Sequence, residues 1–272
     1  TQADKLGYGL GPFLRETMLP HIYAQMEAKG WPTCPYVNPV KDSPDDGIAE
    51  FLEVPRFSTG FAALHHVIGF MPETHMLKPF KDRYDSMRAL LDVTMAFTVT
   101  HGAQIRQLRA DAKEQAANAS EWTVSWQMDE AHPSTFRFKG YAAKRSASVL
   151  GNYQRLSYDR SQPWEKDIAY YNSFVPSATV RAPKGYIVPQ AWREAIERLQ
   201  WNNVEMAPFD EASTIEAQYY HIASVTSRPH AYEGHMYHDA VELEARTGTF
   251  TVQPGDWFIP LKQANARYAV ET

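Results

Sequence analysis

The stretch His66-Val67-Ile68-Gly69-Phe70-Met71 carries no acid or basic chain cation and leads straight into Pro72-Glu73-Thr74-His75. So short an apolar run is the pattern of a strand buried on both faces of a largely parallel sheet. On this reading Arg56-Phe57-Ser58-Thr59-Gly60-Phe61 forms the turn before it, and residues 51–54 form a neighbouring strand. Upstream, Pro12 suits the first turn of a helix whose apolar positions Phe13, Leu14, Met18, Ile22 and Met26 recur at helical spacing, with Gly30 ending it. Downstream, Tyr84, Met87, Leu90, Leu91, Met95, Ile105 and Leu108 give one side to a long helix over residues 81–115, with Gly102 as a kink. Residues 1–115 thus read as α/β, a partial and mostly parallel sheet with helices. In open sheets of that kind ligands bind beyond the carboxyl ends of strands. Glu73 and His75 fall at such an end, where a carboxylate is placed for acid/base work. The plainer reading is a carboxylate that caps the next helix or pairs with Lys78.

After residue 120 the period changes to two, as Trp122, Val124, Trp126 and Met128 alternate with polar residues. Further strands are expected over residues 134–141, 177–181, 215–225, 240–245 and 248–252, with one helix over 189–200. Residues 121–272 therefore read as a β-rich domain, and the whole chain as α+β. Residues 111–120, where the apolar stripe fades, are the candidate linker.

Composition narrows the class. With 44% hydrophobic and 13% aromatic residues the 272-residue chain can bury a sizeable core, and it has no disordered or collagen-like bias. A net charge of −5 argues against a surface built to neutralise phosphates, so no nucleic-acid partner is expected. No run of about 18 apolar residues occurs, so no membrane span is expected. Cys34 is the single cysteine and can form neither an intrachain disulfide nor a Cys-rich zinc site. The chain opens at Thr1 without a Met or a signal pattern, which suggests a cut boundary.

Two histidine clusters compete with Glu73. His230, Glu233, His235 and His238 could bind zinc, but on a strand His230 and Glu233 point to opposite faces, a poor geometry for a tetrahedral site. His65-His66 could bind metal or substrate, or sit as ordinary half-buried histidines. No phosphate-binding glycine loop, Gly-x-Ser-x-Gly elbow or Cys/His nucleophile pair occurs.

The stretch over residues 55–80, with Ser58-Thr59-Gly60-Phe61, then Glu73-Thr74-His75, then Leu77-Lys78-Pro79, resembles the C-terminal part of the catalytic domain in bacterial zinc carboxypeptidases of the carboxypeptidase A-like family. Residues 185–192, 232–235 and 255–261 resemble the β-rich C-terminal extension of those proteins. The resemblance implies zinc-assisted hydrolysis of peptide or amide bonds, with Glu73 as the general base and acid that moves the water proton to the leaving amine. It implies that Arg56, Thr59, Phe61 and His75 line the substrate pocket, Arg56 pairing with a substrate carboxylate. It implies a peptide or acylated amino-acid substrate and a periplasmic or secreted location. In that family the zinc ligands lie earlier in the catalytic domain, so none is expected in this chain; its partner would be the missing N-terminal part of its own domain. The competing class is a non-catalytic binding protein on a degenerate peptidase-like scaffold.

Overall fold

A computed structural model describes residues 1–272 and has an α+β fold, with 32% of residues in helix and 34% in strand. The chain forms two compact units, Thr1–Lys184 with Leu261–Thr272, and Gly185–Pro260. The division therefore does not follow the expected boundary at residues 115–121.

The first unit begins with α1 (Ala3–Leu6) and α2 (Leu10–Phe13), which passes through a π-helical stretch, Leu14–Met18, into α3 (Leu19–Ala28). The expected apolar positions Phe13, Leu14, Met18, Ile22 and Met26 are all buried, and Gly30 ends the helix at φ +77°. After β1 (Ile48–Ala49) come α4 (Ser58–Leu64) and α5 (Phe80–Ala117). The first of these covers most of the expected turn. The second runs through Gly102 without a break. Its last turns bury Ala112 and Ala116, four residues apart on one face. Small side chains let that face approach the core closely, so the expected linker is largely helix.

The parallel sheet expected over residues 1–115 does not form. Neither residues 51–54 nor residues 66–71 pair as strands, and β1 alone stands there. Local hydrogen bonds explain this. Val67 N donates to Ala62 O at 3.0 Å and His66 N to Ala63 O at 3.1 Å, with His66 left-handed at φ 53°. That pair of bonds is the Schellman ending of a helix, with His in the place usually taken by glycine. Gly69 is then held by Thr1, whose Oγ1 accepts from Gly69 N at 2.8 Å. The apolar run is therefore engaged by a helix cap and a side chain, not by a ladder.

The strands that follow pair antiparallel. β2 (Glu121–Met128) pairs with β5 (Phe174–Arg181), on either side in the chain of β3 (Ser134–Ala147) and β4 (Gln154–Tyr171), which pair with each other as sequence neighbours. The far end of β4 also takes β1 in parallel, Ile48 opposite Tyr170. A cluster of Ile48, Phe138, Ile168 and Tyr170 is buried there. Trp164 lies across Gly140, where an added Cβ would stand 2.4 Å from the indole. No helix is long and apolar enough to cross a membrane.

In the second unit, β6 (Gly185–Val188) is followed by α6 (Arg193–Trp201), which buries Ile196 and Leu199. β10 (Trp257–Pro260) pairs antiparallel with β6 and with β7 (Ala207–Pro208), while β8 (Ser213–Ser227) and β9 (His238–Val252) form a long two-stranded ribbon. The two strands expected over residues 240–252 are one continuous strand. At the turn before β10 the Asp256 carboxylate accepts from Gln190 N at 2.9 Å and Gln253 N at 2.8 Å.

Candidate functional site

Glu73 and His75 lie at the surface on irregular chain between α4 and α5, without the apolar surround expected of a strand buried on both faces. His75 Nδ1 accepts from Leu77 N at 3.2 Å, a local turn contact. Arg56 is exposed, with its guanidinium 6.0 Å from the Phe57 ring centre. Phe61, on α4, packs its ring 5.0 Å from His65 and 6.3 Å from Tyr268. Thr59 is buried in the first turn of the same helix, and its carbonyl accepts from Thr1 Oγ1 at 3.2 Å.

The histidine pair separates by role. His65 stacks on Tyr268 at 5.6 Å. His66 is 1% exposed and neither ring nitrogen has a hydrogen-bond partner. Burial, with the charges of Arg267, Lys113, His65 and Arg109 nearby, lowers its pKa to about 4. It is a neutral core histidine. In the second unit, Glu233 and Gly234 both have positive φ at a tight turn closed by mutual bonds between Tyr232 and His235. His238 Nδ1 lies 2.9 Å from Ser227 Oγ. These residues do not converge, and no group of three or more His, Cys, Asp or Glu in the chain could hold a metal ion. The residues present therefore do not fit a zinc centre.

A pocket of about 170 Å³ lies in the first unit. Of the residues expected to bind substrate, only Thr59 lines it, joined by Phe70 and Met71 from the chain just before Glu73. Its acidic side is Glu50 and Glu53; Tyr23, Tyr36, Phe51 and Tyr170 supply aromatic rings. The Tyr170 hydroxyl donates to Glu50 Oε1 across 120 residues of sequence. Burial pushes the Glu50 carboxyl up, against the lowering effect of that hydroxyl. Burial and the Glu50 charge push the Tyr170 phenol up, so it stays protonated and keeps donating. Glu53 is fixed through its backbone: its N–H donates to Gln2 Oε1 at 3.1 Å, and its carbonyl accepts from Lys5 Nζ at 2.7 Å. Its buried Oε2 takes no hydrogen bond and lies 3.4 Å from the Thr1 nitrogen.

Sequence reasoning did not find this acidic pocket. Glu50 precedes, and Glu53 lies within, the stretch 51–54 that reads as a strand, and nothing in the sequence joins them to Tyr170. No family model, curated protein or solved structure matches the chain.

Proposed function

We propose that this chain is part of a zinc-dependent metallocarboxypeptidase-like hydrolase of peptide or amide bonds, in which Glu73 carries the proton. The observation that carries the reading is the resemblance over residues 55–80, centred on Glu73-Thr74-His75. Its support in the fold is accessibility: Glu73 is exposed on the irregular link over residues 65–79 between two helices, and exposed Met71, Met76 and Leu77 flank it. A carboxylate so placed can meet a substrate that arrives from outside the chain. Because the chain's own residues do not fit a zinc site, the metal ligands would be supplied by sequence outside residues 1–272.

Within this reading Glu73 accepts a proton from the attacking water and returns it to the leaving amine. Arg56, exposed near α4, would meet a substrate carboxylate. The substrate class is a peptide or acylated amino acid, and the site of action periplasmic or extracellular. The test is Glu73→Gln in the longer protein that supplies the ligands. Removal of the proton carrier with the ligands untouched lowers hydrolysis by about 10²–10⁴-fold while zinc content is unchanged. Turnover equal to the unsubstituted protein refutes the role.

A further inference from the structure

The pocket around Glu50 has a chemistry of its own. Its charged groups are the Glu50 and Glu53 carboxylates and the Thr1 ammonium, which lies 3.4 Å from Glu53 Oε2, and the rest of its wall is mostly aromatic or aliphatic, including Leu14, Leu19 and Met71. Glu50 is secured at backbone and side chain by two adjacent residues at the end of β4. Its backbone N–H donates to Tyr171 O at 2.9 Å, while its Oε1 receives the hydroxyl of Tyr170, itself 9% exposed. Burial, with Glu53 nearby, outweighs the lowering effects of the Tyr170 hydroxyl, the Thr1 ammonium and Arg15 on Glu50, so its carboxylate is under-compensated, and an incoming cation would offset that cost. Aromatic rings around an acid favour the same ligand, since ring faces attract cations within about 6 Å.

Size and donor count choose among cations. A volume of about 170 Å³ is close to the roughly 150 Å³ cavity known to hold benzene, and well below pockets for drug-sized ligands. The ligand therefore has about six heavy atoms. A divalent metal would need about six oxygen ligands, which this largely apolar wall does not provide. A small organic cation needs one carboxylate and an apolar wall for its stem.

We infer that this pocket binds a small alkylammonium ion, with its ammonium on Glu50 and its apolar stem against the rings of Tyr23, Tyr36, Phe51 and Phe70. The inference stands on the pocket alone and holds whether or not Glu73 carries a proton.

The experiment is calorimetric titration of the 272-residue chain with n-butylammonium, with 1-butanol as the neutral probe of equal stem and butyrate as the anion. Butylammonium binds saturably, and 1-butanol and butyrate bind at least about tenfold more weakly. Glu50→Gln, which keeps an acceptor for Tyr170, weakens butylammonium about tenfold or more and leaves 1-butanol unchanged. If the Gln variant fails to fold, Tyr36→Ala serves in its place. That ring is 58% exposed, so its loss spares the core, and butylammonium affinity falls several-fold. Equal binding of butylammonium and 1-butanol, no saturable butylammonium binding, or an affinity unchanged in the substituted chain overturns the inference.

Discussion

His66 shows how one residue can redirect a segment. Its left-handed backbone ends α4, its ring is buried without a partner, and its carbonyl accepts from Arg109 Nε at 2.9 Å. A histidine held neutral in the fold makes stability depend on pH. Above its ordinary value of 6.5 the ring is neutral folded or unfolded; below it the unfolded chain takes up a proton that the fold refuses until about pH 4. Stability contributed by neutral His66 is therefore present above pH 6.5 and lost as pH falls toward 4, by up to about 3 kcal/mol. Urea denaturation at several pH values checks this against His66→Asn, which tolerates the same backbone and should flatten the acid slope; equal slopes would exclude His66 as the source. Arg267 is a second buried residue with a definite prediction. Its side chain is 4% exposed, pairs with Glu271 at 2.6 Å and donates to the carbonyls of Leu6 and Lys5. Arg267→Ala leaves Glu271 and both carbonyls without it, and is expected to cost about 3–5 kcal/mol of unfolding free energy by denaturant titration. A loss under about 1 kcal/mol would show that the network is not holding the helix Ala266–Glu271 in place.

At the scale of elements, periodicity was the readable signal, and it failed where a local hydrogen bond competed with it. The helix from Leu10 to Ala28 was legible because five apolar residues recur at the right spacing and all are buried. The strand β2 was legible from alternation alone. In contrast β4 is not legible, because its covered positions are a pair at Leu156 and Ser157, Trp164, and the run from Ile168, with exposed and mostly polar residues between them. The apolar run from His66 was misread because the sign of a helix end is normally glycine, and here it is histidine. Ala112 and Ala116 were overlooked as core because alanine barely registers as hydrophobic, although small size is what that face of α5 needs. The β3–β4 hairpin offers the sharpest test. Gly140 lies opposite Trp164 in the ladder, under an indole with no room for a Cβ. Gly140→Val should displace Trp164 and destabilise the first unit by about 1–3 kcal/mol, seen as a lower denaturation midpoint and a change in tryptophan fluorescence. Wild-type values for both would show that the indole yields freely.

Across the whole molecule, the α+β class was legible because helix-period and strand-period segments occupy different lengths of chain. The division into units was not, since Leu261–Thr272 returns to the first unit after an excursion of residues 185–260. Such a return leaves no compositional trace. The acidic pocket was not legible. Glu73 stood out through its motif, but Glu50, Glu53 and Tyr170 become one pocket through folding alone, with Tyr170 brought to Glu50 by the parallel pairing of β1 with β4. The central proposal is that Glu73 would move a proton in a zinc-dependent hydrolysis, with metal ligands supplied from outside this chain. Its most direct test is turnover of a peptide substrate by the longer zinc-loaded protein, with and without Glu73→Gln, at equal zinc content. The account predicts a fall of about 10²–10⁴-fold in the substituted protein; turnover at the unsubstituted rate would contradict it.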